Sequence, residues 1–107
     1  MQPKLFEVPT ETVEIEKVIL YALGDFQSRG KVLADRELAL DRLRGAFLRA
    51  YAKFLIRELS DEQVIEALLN LGINVIEVPN FVAKRPYRIT VSQETAKQAE
   101  THFRLSA

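Results

Sequence analysis

The chain has 107 residues, the size of one domain, and 48% of them are hydrophobic, enough for a core that needs neither metal nor disulfide. It contains no cysteine, which excludes disulfides, zinc–thiolate sites and a cysteine nucleophile. Fifteen basic and fifteen acidic side chains cancel, so the global positive field of a dedicated nucleic-acid binder is missing.

Residues 1–9 carry Pro3 and Pro9 around Leu5, Phe6 and Val8 and read as an extended lead-in to a single domain spanning 1–107. No charged n-region followed by an apolar h-region is present. Apolar runs such as Val18 to Leu23 are too short to cross a bilayer, so a membrane partner is not expected and the chain reads as cytoplasmic.

The first helix is expected from Thr10 to Phe26. Ile15, Val18, Ile19, Ala22, Leu23 and Phe26 recur at helical spacing, and Thr10 is an acceptable N-cap. A competing reading exists: Thr12 to Glu16 alternates with period two and is β-branched, as in a strand. The helical match covers more residues and is preferred. Gly24, Ser28, Gly30 and Lys31 interrupt the pattern, so Asp25 to Ala34 reads as a connection. These glycines fit neither a phosphate loop nor a dinucleotide fingerprint.

The stretch from Asp35 to Leu59 predicts one long second helix, with Asp35 as N-cap. Leu40, Leu43, Phe47, Leu48, Ala50, Tyr51, Phe54 and Leu55 share a broad arc. Arg42, Arg49 and Lys53 lie on the opposite arc as a basic stripe. The isolated Gly45 marks close approach of another backbone, a kink, or mere sequence drift without a structural role.

Ser60-Asp61-Glu62-Gln63 is a capping box, with Leu59 and Val64 placed as a hydrophobic staple. It opens a third helix over 61–71. Gly72 ends that helix, with Ile73 set for a Schellman contact. Asn74 to Val78 and Tyr87 to Ser92 then read as two antiparallel strands, Tyr87, Ile89 and Val91 facing inward. Residues 80–86 form a long loop between them. A last helix begins near Ser92 or Gln93, its narrow stripe of Ala96, Ala99 and Phe103 packing across the sheet. The expected fold is therefore α+β: three helices with the second long, a two-stranded hairpin and a C-terminal helix.

The order helix, helix, helix, hairpin, helix resembles winged-helix domains, and Arg85-Pro86-Tyr87-Arg88-Ile89-Thr90 resembles the second wing strand of some winged-helix regulators. The resemblance implies a recognition position at Asp61 to Leu71. That helix offers Asp61, Glu62 and Glu66 and no cation, which repels phosphate.

No catalytic triad, phosphate loop or paired acid and base stands out, so no enzyme, cofactor or metal is expected. His102, the only histidine, reads as a surface or helix-end residue without a partner for catalysis. The acidic clusters at Glu11, Glu14, Glu16 and at Asp61, Glu62 suit helix N-termini. Two features remain as candidate interaction sites. One is the stripe of Arg42, Arg49 and Lys53. The other is the hairpin loop, where Phe81, Lys84, Arg85, Tyr87 and Arg88 mix aromatic and cationic groups, as interfaces do. The leading expectation is a non-catalytic protein–protein interaction or regulatory module that forms a homo-oligomer or binds a protein partner. The alternative is nucleic-acid binding through the same two basic groups.

Overall fold

The computed structural model describes residues 3–77 and 87–106, with side chains from Glu14 onward in its first helix. In chain order, the elements are α1 (Pro3–Ser28), β1 (Glu37–Ala39), a 3₁₀ turn (Leu40–Leu43), α2 (Arg44–Phe54), α3 (Asp61–Asn70), β2 (Asn74–Glu77), β3 (Tyr87–Thr90) and α4 (Gln93–Ser106). The fold is α+β, with four helices and a small antiparallel sheet of three strands in the order β1-β3-β2.

The competition over residues 12–20 is settled for helix, and α1 starts earlier than the periodicity predicts. The extended lead-in over 1–9 gives way to helix from Pro3. A first-turn proline is tolerated because its missing N–H would find no intrahelical partner there, which accounts for Pro3; Pro9 lies inside the helix and leaves the Leu5 carbonyl without its i+4 donor. Thr10 accordingly lies inside α1, not at its N-terminus. Gly24 does not interrupt the helix either. A Cβ at that position would overlap Phe103 Cβ and stand 2.5 Å from Ala99 O, so glycine is what lets α4 lie against α1. Ala96 and Ala99 are buried and keep the facing surface thin. At the end of α1, Gln27 Nε2 donates to the Ala96 carbonyl at 2.8 Å. The main contact of α4 is therefore α1, not the sheet as expected.

The largest correction concerns Asp35 to Leu59, which is not one helix. Leu38 and Leu40 are both buried, an alternation with period two embedded in a helical-looking run. Leu38 sits opposite Ile89 on β3, and Val75 of β2 flanks Ile89 on the other side. The edge of β3 takes these three residues as a third strand, and tertiary pairing overrides their helix propensity. Asp35 is a turn residue at φ 59°, not an N-cap, and its N–H donates to Val91 O at 2.7 Å. At the other end α2 stops after Phe54. Leu55 adopts the left-handed conformation, φ 58° and ψ 43°, and its N–H bonds back to Ala52 O at 3.3 Å. The connection 55–60 then doubles back along α2, so that Glu58 reaches Arg44 at 3.5 Å. Gly45 is exposed and receives no neighbouring backbone among the described residues. A Cβ there would meet only the Arg49 guanidinium, at 3.4 Å.

The locally signalled elements stand as read. Ser60 Oγ accepts from Gln63 N–H at 3.1 Å, and Gln63 Oε1 accepts from Ser60 N–H at 2.9 Å, both halves of the capping box. Gly72 has φ 80°. Its N–H bonds to Leu69 O at 2.9 Å while Ile73 N–H bonds to Leu68 O at 3.0 Å, a Schellman motif. Ser92 Oγ accepts from Thr95 N–H at 3.2 Å and starts α4. The core joins α1, α2, α3 and the inner face of the sheet, with Ile19, Leu23, Leu33, Leu40, Leu43, Leu68, Ile89 and Val91 as its largest fully buried side chains.

Candidate interaction surface

The basic stripe is dismantled by its own neighbours. Asp25 on α1 is only 6% exposed. Arg49 on α2 directs Nε and Nη2 at Asp25 Oδ2, each at 2.6 Å. Arg29 adds its Nε 3.4 Å from Oδ1. Taking a carboxylate out of water is costly unless donors meet it, and Arg49, which supplies two, is therefore a structural tie between α1 and α2. Lys53 places its ammonium 5.8 Å above the Tyr21 ring. Tyr21 in turn meets Phe54 edge-on at 5.4 Å and Phe103 at 4.9 Å. Arg42 lies exposed on the 3₁₀ turn.

The hairpin group divides as well. Arg88 on β3 reaches across to β1, where its Nε donates to Glu37 Oε2 at 3.1 Å. Tyr87 is half-buried against the core. Phe81, Lys84 and Arg85 lie outside the described residues. Arg49 and Lys53 thus face α1 while Arg88 faces β1, and the structure does not gather these cations on a single free surface. His102 is not simply a surface residue: its Nε2 is buried and has no hydrogen-bond partner among the described residues.

What the fold does assemble is an apolar groove. One wall is α1 and the other is the connection after α2, with the start of α3 at one end. Its floor is Ile15, Val18, Phe54, Ile56 and Leu59, and its volume is about 600 Å³. Glu14, Lys17, Arg57 and Gln63 form the rim. A smaller hollow of about 90 Å³ continues from Ile15 and Gln63 toward Glu66 and Asn70 on α3. Beside the groove Leu55 is 90% exposed. A non-glycine residue in the left-handed region costs about 1–2 kcal/mol. The chain here holds an apolar side chain in water on a strained backbone.

Sequence reasoning missed Ile56, Arg57 and Leu59 as groove residues because it placed them inside one long helix. The staple position of Leu59 and the abrupt run Phe54-Leu55-Ile56 were the available signal: three consecutive large apolar residues cannot all face one side of a helix. Among the described residues, no helix is long and apolar enough to cross a membrane, and no cluster of three or more metal-binding side chains occurs. No protein-family model matches the chain, and no curated protein and no solved structure is significantly similar to it.

Proposed function

We propose that this domain is a non-catalytic interaction module that self-associates in the cytoplasm through the groove between α1 and the connection after α2. The observation that carries the reading is the groove itself, apolar on its floor, polar on its rim, with the exposed Leu55 next in the chain to its floor residue Ile56. Grooves of this composition receive apolar helix faces, and contiguous exposed apolar surface marks interfaces. Strain concentrated at an exposed residue is retained where function uses it. Sedimentation velocity tests the reading: the chain should dimerise at concentrations on the order of 100 µM or below. Leu55→Gly should weaken the dimer while making the monomer more resistant to urea, because the strain and the exposed side chain disappear together. A chain that stays monomeric throughout this range would sink the proposal.

A second reading is nucleic-acid binding. It is favoured by the order α1, β1, α2, α3, hairpin, α4, which keeps the sequence of elements that resembles winged-helix domains. Charge opposes it. In the recognition position α3 exposes Glu62 and Glu66, and Arg49, Lys53 and Arg88 are each engaged within the chain. Fluorescence anisotropy with labelled single- and double-stranded oligonucleotides at about 50 and 200 mM salt decides the matter. Steeply salt-dependent binding that disappears in Arg42→Glu/Arg85→Glu would promote this reading over the first.

A further inference from the structure

We infer that the occupant of the groove is the N-terminal half of α1 from a second copy of the chain, paired antiparallel about a two-fold axis. The inference rests on the self-association reading and names its interface. The groove offers an apolar floor with two cations on its rim, Lys17 and Arg57, and neither has an ion-pair partner among the described residues. Its complement is a helix that is apolar and acidic. α3 is acidic too, but its Val64, Ala67 and Leu68 are buried in the chain's own core; that leaves residues 3–16, which contain Leu5, Phe6, Val8 and Val13, with Glu7, Glu11, Glu14 and Glu16 against the single Lys4.

That segment is already helical, because α1 begins at Pro3. Docking a preformed helix avoids most of the ordering cost of a flexible peptide. It cannot fill the groove of its own chain. Glu14, Ile15, Lys17 and Val18 of the same helix form the wall, and the residues before Glu14 continue along that helix axis and cannot turn back across it. Only another copy can supply it.

The pairing is isologous, so each copy gives one helix and one groove.

The test is sedimentation equilibrium of the full chain and three variants: Lys17→Glu/Arg57→Glu, Glu7→Lys/Glu11→Lys, and the four substitutions combined. Each charge reversal alone should raise the dimer Kd by about tenfold or more, and the combination should recover most of the loss. Because the chain has no cysteine, a second readout is clean. Equal amounts of Glu11→Cys and Arg57→Cys chains, mixed and oxidised, should give a disulfide-linked heterodimer in preference to either homodimer. This second readout also decides the case if a charge reversal impairs folding. A dimer that ignores both reversals and yields no preferred cross-link refutes this interface and leaves self-association to another surface. A wild-type chain that remains monomeric refutes both readings.

Discussion

Removing the Arg49 guanidinium should cost the fold about 2 kcal/mol, because Asp25 depends on it. Asp25 Oδ2 receives both Arg49 nitrogens at 2.6 Å and no other donor among the described residues, and the carboxylate is almost fully enclosed. Hydrogen bonds to a charged group contribute about 1.5–3 kcal/mol, and stripping one partner from a buried pair costs about 3–5 kcal/mol. Two features reduce the upper figure. The Arg49 side chain is 41% exposed, so water screens the pair, and Arg29 remains 3.4 Å from Oδ1. The expected loss for Arg49→Ala is therefore about 2 kcal/mol, read as a lower urea midpoint at unchanged slope. Replacing both partners, Asp25→Leu/Arg49→Met, should recover much of that loss, since no buried charge is left behind. The double-mutant cycle should return a coupling of about 1–3 kcal/mol. A loss below about 0.5 kcal/mol for Arg49→Ala, the range of an ordinary surface change, would refute the structural role. Arg49 would then return to the pool of cations available to a ligand.

Three further outcomes are expected. Gly24→Ala should destabilise by about 1–3 kcal/mol through overpacking against Ala99 and Phe103, although alanine gains about 1 kcal/mol of helix propensity; a more stable variant in urea would show that α4 does not lie so close to α1. Ser60→Ala removes the acceptor for Gln63 N–H and should cost about 1 kcal/mol, with early amide exchange at Gln63 and Val64 as the local sign. Ile89→Ala, at the centre of the sheet and 1% exposed, should cost about 2–5 kcal/mol, and a smaller loss would mean that β1 and β2 close over the void.

The legible parts of the fold are those whose signal is local. The capping box at Ser60, the left-handed Gly72 and the alternation Tyr87, Ile89, Val91 each state their structure within a few residues. The region from Asp35 to Leu59 carries two periods at once. Leu40, Leu43, Phe47 and Tyr51 repeat as in a helix, while Leu38 and Leu40 alternate as in a strand. Which period wins is decided fifty residues away, where Ile89 accepts Leu38 as its neighbour. Gly24 shows the same dependence. A glycine inside a helical pattern reads either as an interruption or as room for a neighbour, and only the arrival of Ala99 and Phe103 distinguishes the two. The fate of the basic stripe was hidden for a related reason. Arg49 and Lys53 look free along their own helix, and their partners Asp25 and Tyr21 lie on α1.

The placement of charges also constrains how this surface binds. Arg49, Lys53 and Arg88 spend their charge inside the chain, so nucleic-acid affinity would have to come from the remaining cations against an acidic α3. Lys17 and Arg57 are few and sit on the rim of an apolar floor, where charge fixes orientation and register more than affinity. Apolar burial is then the main driving term, and it does not weaken with added salt. Moving from about 50 to 200 mM salt should change the dimer Kd only a few-fold, against the roughly thousandfold loss of a protein that releases counterions from several phosphates. One salt titration therefore separates the two readings of the same domain, and it does so because the fold has already engaged Arg49, Lys53 and Arg88, three of the cations that made the second reading attractive in the sequence.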